Sequence, residues 1–285
     1  MAILCVNLFY KVLIDCSLAI LAFLPYLITQ FGRTPYRRGF FCDDESIRYP
    51  DKPETVGQTE LYLVSIPLVL IIVLVTEYTR LPSMVRGKQA LQQCLLTSYH
   101  VCIFFVFGAV SILSLVSVAK YTVGRLRPNF IEACKPNISC ADRDPHEYIE
   151  NYTCQNEVDD LRMSFFSGHS SWSAFCAVFI AMYLQARVRS PKLVLFKSLL
   201  QSLVFYLAFY TALTRISDYK HHPSDVATGL FLGALAAYLT ITWAAGGLKL
   251  TTWGCLMSRQ NSEDNSLLQE NNQISYESIE SENRE

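Results

Sequence analysis

The chain has 285 residues, of which 51% are hydrophobic and 17% are charged, and its formal net charge is −1. This near-neutral balance excludes the bulk attraction to nucleic acid that a strongly basic chain would show. The apolar residues gather in long runs, and such runs indicate a membrane protein.

Six of these runs predict membrane-spanning helices, which need about 20 mostly apolar residues each. They lie near residues 9–29, 61–77, 98–118, 171–186, 199–213 and 226–246. The first run could instead be a signal peptide, but no basic cluster precedes it and no clear cleavage site follows it, so we favour an uncleaved anchor. The predicted fold class is all-α: a polytopic membrane protein with six transmembrane helices and both termini cytoplasmic.

Two loops carry the charge pattern that gives this orientation. Residues 78–97 and 187–198 contain several Lys and Arg residues and no acidic residue, and short loops of this kind face the cytoplasm. The connections on the opposite side are then extracellular or luminal. Two N-glycosylation sequons, at Asn137 and Asn151, lie in the loop after the third span and agree with that orientation.

Four of the ten cysteines fall on this outer side, where disulfides persist. They are Cys42, Cys134, Cys140 and Cys154. Four cysteines allow three pairings, and the sequence does not choose among them. Because three of the four lie between residues 121 and 166, we expect one bond within that loop.

Composition divides the chain into two parts. Residues 1–257 form the predicted six-span membrane domain, and the polar, acidic residues 258–285 are predicted to be a disordered cytoplasmic tail. Two short stretches of the tail, Glu263–Leu268 and Tyr276–Ile279, either resemble endocytic sorting signals or reflect chance in a biased composition.

Three polar segments occur at the outer ends of the predicted spans. Lys120–Pro128 follows the third span, Ser164–Ser171 precedes the fourth, and Thr214–Asp225 joins the fifth to the sixth. Since all three lie on the same side of the membrane, we expect them to converge on one site.

The cations in these segments suit a phosphate ligand. Lys120 and Arg127 are two helical turns apart and can point the same way. Arg215 adds a planar, permanently charged fork that fits phosphate. Arg125 lies off the face shared by Lys120 and Arg127, which favours a headgroup or loop contact.

Two of the segments also lead into a predicted helix. Ser167 is a suitable N-cap, Gly168 allows a ligand to approach the backbone, and His169 falls in the first turn. Free N–H groups at such a helix start attract anions. His221 and Asp225 are four residues apart, so the carboxylate can fix the imidazole tautomer and leave the other ring nitrogen free to attack.

With these motifs the chain resembles the lipid phosphate phosphatases of the type-2 phosphatidic acid phosphatase superfamily. The family pattern is Lys, six residues, Arg-Pro; then Ser-Gly-His; then Arg, five residues, His, three residues, Asp. In this sequence the pattern falls on Lys120, Arg127, Pro128, Ser167, Gly168, His169, Arg215, His221 and Asp225. The resemblance covers all six spans and departs at Phe166 and Thr214, neither of which removes a catalytic group.

The resemblance implies a mechanism. His221 would attack phosphorus and form a phosphohistidine, Asp225 would orient its ring, and His169 would protonate the leaving group and then activate water. The phosphoryl oxygens would be bound by Lys120, Arg127, Ser167, Gly168 and Arg215. No acidic metal-binding cluster appears among these motifs, so we expect no metal or other cofactor, and activity should not require Mg²⁺.

The resemblance also implies partners and a location. The expected substrates are phosphatidate, lysophosphatidate, sphingosine 1-phosphate and ceramide 1-phosphate, held in the bilayer. The active site would face the extracellular or luminal side of the plasma membrane, or of an endosome or other endomembrane. We expect no nucleic-acid partner, and a homo-oligomer is compatible with the sequence.

Three other functions share some of these features. A non-catalytic relative would bind lipid phosphates but lack part of the Lys and His set, which is complete here. An isoprenyl diphosphate phosphatase could use the same scaffold. A small-solute transporter would place ionisable residues at mid-depth, whereas here they cluster at one face of the membrane. The exceptions are Lys11 and Asp15 in the first span, which either pair with each other or lie near the membrane boundary.

Overall fold

The structure is a computed structural model that describes residues 2–81, 87–140, 143–144, 146–156 and 159–244, with side chains described between residues 9 and 242 of these ranges. This part of the chain contains the helices α1 (Ala2–Gly32), α2 (Gln58–Thr79), α3 (Lys88–Val123), α4 (Phe130–Cys134), α5 (Gly168–Arg187), α6 (Val194–Ser217) and α7 (Pro223–Ala244). It also contains the short strands β1 (Phe40–Phe41) and β2 (Tyr148–Ile149), and 3₁₀ turns at Glu45–Ile47, Asp159–Arg162 and Pro191–Leu193. The fold is mostly helical, as the sequence predicted.

Five helical segments of the described chain are long and apolar enough to cross a membrane. They are Phe9–Gly32, Gln58–Thr79, Lys88–Val123, Pro191–Ser217 and Pro223–Thr242, and each coincides with one of the six predicted spans. The remaining predicted span, 171–186, lies in α5, which is less apolar because its first turns carry serines and a histidine. Most of α5 is nevertheless buried, because α2, α3 and α6 pack around it.

The start of α7 lies very close to the start of α5, because glycines face the contact. A Cβ atom at Gly229 would lie only 2.6 Å from the carbonyl oxygen of Ser167, and one at Gly233 would lie 2.1 Å from that of Ser171. Small residues four apart let membrane helices approach each other in this way. The contact therefore sets two of the predicted motifs side by side.

Helix α1 packs against α3 through polar as well as apolar contacts. The hydroxyls of Thr29 and Ser117 are 2.6 Å apart, and the Ser114 hydroxyl donates to the Ala22 carbonyl at 2.7 Å. At the other end of α1, the Lys11 ammonium donates to the Asp15 carboxylate at 2.8 Å. The expected pairing of these two intramembrane charges is confirmed.

The loops at the α3–α4 end of the bundle form a small cap with an apolar core of its own. Strand β1 pairs antiparallel with β2, with Phe40 opposite Ile149. The buried members of the core are Phe40, Cys42, Ile47, Leu126, Phe130, Cys134, Ile149 and Leu161. Two disulfides, Cys42–Cys140 and Cys134–Cys154, close the cap. The second is the bond expected within residues 121–166, and the first joins that loop to the one after α1.

The chain divides into a compact unit of residues 1–241 and a second unit of residues 242–285. The predicted domain boundary at 257, the predicted tail 258–285 and its two sorting-like stretches lie outside the described residues.

Candidate active site

The three predicted polar segments are joined to one another by backbone hydrogen bonds. The segment after α3 pairs with the one before α5, since Ser164 N–H donates to the Arg125 carbonyl and Arg127 N–H donates to the Leu161 carbonyl, both at 3.0 Å. Ser167 N–H donates to the Asp225 carbonyl at 3.1 Å and ties the start of α5 to the first turn of α7. The predicted convergence of the segments is confirmed.

The imidazole of His221 is buried and held by a backbone carbonyl. Its Nδ1 lies 2.7 Å from the carbonyl oxygen of Ser164, and its side chain is 2% exposed. Because a carbonyl can only accept, Nδ1 carries the proton and Nε2 is left unprotonated. Burial lowers the pKa of His221 to about 3, the nearby Asp225 only partly opposes this shift, and the charges of Arg127 and Lys120 add to it. The ring is therefore neutral at physiological pH, as a nucleophile requires.

Asp225 acts on His221 through Ser164 rather than through a direct hydrogen bond. Its Oδ2 lies 3.9 Å from Nδ1 of His221, which is beyond hydrogen-bonding distance. The same oxygen accepts from the Ser164 hydroxyl at 2.6 Å and from the His222 N–H at 3.0 Å. We expected the carboxylate to bind the ring itself. Instead, Ser164 lies between the two side chains: its hydroxyl binds Asp225 and its carbonyl binds the ring of His221.

Arg125 belongs to the site, although the sequence favoured a headgroup or loop contact for it. Its Nη1 donates to Oδ1 of Asp225 at 2.6 Å and to the Ser224 hydroxyl at 2.8 Å. The Asp225 side chain is fully buried, so this guanidinium supplies its counter-charge. No local pattern marks Arg125, because its partner lies 100 residues away in sequence.

His222, to which the sequence gave no role, is also buried. Its Nε2 lies 3.0 Å from the carbonyl oxygen of Leu126, and its backbone N–H binds Asp225. This histidine therefore links the start of α7 to the segment after α3.

The two predicted phosphate-binding arginines are almost completely buried. Arg127 donates from Nε to the Asp160 carbonyl at 2.8 Å and from Nη2 to the Asp160 carboxylate at 2.5 Å. Arg215 donates from Nη1 to the Val56 carbonyl at 3.1 Å and from Nη2 to the Glu54 carboxylate at 2.7 Å.

Lys120 lies in the last turn of α3. The charges that act most strongly on it are those of Arg127, Arg215, Asp160 and Glu54. The three cations therefore share one electrostatic environment.

Ser167, Gly168 and His169 begin α5 as predicted. The Ser167 hydroxyl accepts from Ser170 N–H at 3.3 Å and so caps the helix. Arg215, Lys120 and Arg127 are among the charges that act most strongly on His169. Nε2 of His169 and Nε of Arg215 are buried and have no hydrogen-bond partner among the described atoms. Unpaired buried polar atoms are costly, and an anion bound between the cations would satisfy both.

The two sequons lie on the cap, away from these buried groups. Asn137 and Asn151 are both exposed, and the Asn137 amide oxygen accepts from Thr153 N–H at 3.0 Å. Within the described ranges, no group of three or more His, Cys, Asp or Glu side chains is arranged to hold a metal ion.

Comparison with known proteins identifies the family. A model of the PAP2 superfamily matches residues 99–247. Phospholipid phosphatase 1 of Rattus norvegicus is 39% identical over 248 residues, which cover 84% of this chain and 86% of that protein. The chain belongs to the PAP2 superfamily. Phospholipid phosphatase 2 of Homo sapiens, 38% identical over 241 residues and 84% of each chain, is a further relative. The PAP2 match and the identity to these two phosphatases confirm the resemblance to lipid phosphate phosphatases.

Proposed function

We propose that this PAP2 member is a lipid phosphate phosphatase that hydrolyses phosphate monoesters through a phosphohistidine on His221. The similarity to phospholipid phosphatases 1 and 2 supports the activity. The observation that carries the mechanism is the buried, neutral imidazole of His221, whose Nδ1 is held by Ser164 while the charges of Arg127 and Lys120 act on the ring.

The first step forms a bond from Nε2 of His221 to phosphorus and breaks the phosphorus–oxygen ester bond. The leaving alkoxide takes the proton of His169, and the lipid alcohol departs. The three cations are fixed in advance where negative charge spreads over the phosphoryl oxygens, so they stabilise the transition state.

The second step is hydrolysis of the phosphohistidine. His169, now neutral, takes a proton from water, the resulting hydroxide attacks phosphorus, and the bond to Nε2 of His221 breaks. Phosphate is released and His221 is neutral again. His169 must carry its proton when the ester binds, and a phosphate dianion favours this by offsetting the three cations.

The proposed substrates are phosphatidate, lysophosphatidate, sphingosine 1-phosphate and ceramide 1-phosphate, presented by the bilayer. Helices α3, α6 and α7, which are long and apolar enough to cross it, carry the cations and His221 at or just beyond their ends, where a lipid headgroup lies. We propose an extracellular or luminal site at the plasma membrane, with both termini cytoplasmic. The two disulfides of the adjoining cap support this orientation, because disulfides persist in oxidising compartments.

The test is release of inorganic phosphate from lysophosphatidate and phosphatidate by purified protein. His221→Ala should reduce release by at least about 10³-fold, the range expected when a nucleophile is removed. His146→Ala, which changes an exposed histidine of the cap, should match the wild type. Release should continue in a chelator and fall with vanadate. A fully active His221→Ala variant would refute the nucleophile, and release from isoprenyl diphosphates alone would favour the alternative substrate class.

A further inference from the structure

Two carboxylates occupy the hydrogen-bonding positions of the phosphate-binding arginines. Glu54, from the loop before α2, accepts from Arg215, and Asp160, from the 3₁₀ turn before α5, accepts from Arg127. Neither acid belongs to the family pattern, and the mechanism proposed above gives neither of them a role. Both contacts are charge-assisted, and such hydrogen bonds are about twice as strong as neutral ones.

The partners differ sharply in exposure. The Arg215 side chain is 1% exposed and that of Arg127 is 6% exposed, whereas Glu54 is 37% and Asp160 is 52% exposed. A buried guanidinium needs a counter-charge at all times. A carboxylate in contact with water can turn away from its arginine once a bound phosphate supplies the counter-charge instead. The arginines are therefore fixed, and their acidic partners are exchangeable.

Both acids are held where they can return. The backbone N–H and hydroxyl of Thr55 donate to Asp218 at 2.8 and 2.7 Å, which anchors the loop of Glu54 to the end of α6. Asp160 precedes Leu161, whose carbonyl accepts from Arg127 N–H. Burial would raise the pKa of Asp160, but the charges of Arg127 and Lys120 outweigh it and the pKa is lowered, so the group stays ionised.

A cavity lies beside the Arg127–Asp160 pair and extends along residues of the cap. Its volume is about 420 Å³, and it is lined by Arg127, Asp160, Asn129 and Lys220, among others. An anion can therefore approach or leave Arg127 on the side where Asp160 stands. A phosphate dianion carries two negative charges, the same total as the two carboxylates.

We propose that Glu54 and Asp160 compete with phosphate for Arg215 and Arg127, and that their return to the arginines helps to expel the phosphate product. This inference rests on the proposed function. Three cations and a helix N-terminus would otherwise bind free phosphate tightly and slow each turnover. The two acids are positioning residues that set the affinity of the site for anions.

The test compares Glu54→Gln and Asp160→Asn with the wild type. Two quantities are measured: the inhibition constant of inorganic phosphate during lysophosphatidate hydrolysis, and the dissociation constant of inorganic phosphate by calorimetry on purified protein. Each substitution should lower both constants by about 5- to 10-fold, that is, phosphate should bind more tightly, because one competing negative charge has been removed. KM should fall as well, and kcat should fall because phosphate leaves more slowly.

Each matched control removes one negative charge near one of the two acids, at Glu60 in the first turn of α2 or at Asp159 next to Asp160. Glu60→Gln and Asp159→Asn change exposed acids that do not touch the arginines in the described structure, and they should change either constant by less than about 2-fold. If Asp160→Asn does not fold, Glu54→Gln carries the test alone, because it changes a different loop, the one before α2.

Weaker or unchanged phosphate binding in the folded variants would overturn the inference, since acids that only hold the arginines in place would loosen the site when removed. Failure of the proposed function is a different result: the wild type would release no phosphate from lipids. In that case calorimetry still measures the competition, because it requires no turnover.

Discussion

Arg125 and Asp225 form the charge pair on which the geometry of His221 depends. The carboxylate is fully buried, and it accepts a hydrogen bond from the hydroxyl of Ser164, the residue whose carbonyl orients the ring. Removal of one member of a buried ion pair leaves the other uncompensated, at a cost of about 3–5 kcal/mol. Part of that cost is expected to appear as disorder of Ser164 and His221.

We therefore predict that Arg125→Ala lowers kcat by about 10²-fold, on the order of 2.7 kcal/mol in transition-state stabilisation. Arg125→Lys should restore part of the loss, because it returns the charge without the planar fork. Arg143→Ala, which breaks an exposed pair with Glu147, serves as the control. Steady-state kinetics on lysophosphatidate measure the effect, and equal kcat values in Arg125→Ala and wild type would contradict the role given to Arg125.

The lowered pKa of His221 has a consequence for stability. A histidine of the unfolded chain has a pKa of about 6.5, whereas the pKa of His221 in the fold is about 3. Below pH of about 6.5 the unfolded chain binds a proton that the fold does not, so stability is lost as pH falls toward about 3. At pH 5 the protonation of this one residue in the unfolded chain lowers the free energy of unfolding by on the order of 2 kcal/mol.

Between pH 7.5 and pH 5 we expect the Tm of the wild type in detergent to fall by about 4 °C more than that of His221→Gln, which has no ring to protonate. Thermal unfolding of both proteins at the two pH values measures the difference. Parallel decreases in Tm would show that the proton uptake of His221 on unfolding is not the cause.

At the scale of elements, the close approach of α5 and α7 aligns the catalytic groups. Gly229 lies one turn after Asp225 and faces the carbonyl of Ser167. Ser167 is the N-cap residue of α5, the helix that carries His169. The nearest atom to a Cβ at Gly229 is the Ser167 backbone oxygen, and the backbone cannot move aside as the end of a flexible side chain would. The distance between α5 and α7 therefore fixes the distance between the Ser167–His169 segment and the His221–Asp225 segment.

A methyl group at Gly229 should separate these helices. We predict that Gly229→Ala lowers activity by at least about 10-fold and stability by about 1–3 kcal/mol, the usual cost of overpacking, although no catalytic group is changed. Gly32→Ala is the control, because a Cβ atom there has no neighbour within 4 Å. Activity and Tm of the purified variants are the measurements. A fully active Gly229→Ala protein would mean that the two helices can shift without cost to the site.

At the scale of the whole molecule, the cap and the candidate active site lie on the same side of the membrane. The two disulfides close the cap, both sequon asparagines are exposed on it, and its segment 161–164 pairs with 125–127 in the site. Whatever compartment oxidises the cysteines therefore also contains the catalytic groups.

We predict that Asn137→Gln and Asn151→Gln each remove one glycosidase-sensitive step in gel mobility when the protein is made in a eukaryotic cell. The double variant should show none and should keep its activity, because both side chains lie on the surface of the cap. Intact cells should hydrolyse externally added lysophosphatidate. Glycan-free wild type from such cells, with activity only after permeabilisation, would reverse the proposed orientation.

The sequence by itself determined the class of the fold, the order of the apolar runs and the identity of the phosphate-binding motifs. These features are local: hydropathy is read over about 20 residues, and the spacing of His221 from Asp225 or of Lys120 from Arg127 lies within a few turns of chain. Such patterns can be recognised from the sequence alone, because each motif occupies a short stretch of the chain.

The tertiary structure alone decided which groups meet. It placed Arg125 on Asp225 and the carbonyl of Ser164 on His221. It paired Cys42 with Cys140 and set Glu54 on Arg215. In each case the partners are separated by 57 to 161 residues, and no periodicity or composition signal extends over such distances. These contacts are fixed by the packing of α7 against α5 and by the folding of the cap, because a buried charge takes its partner from whatever the fold brings beside it.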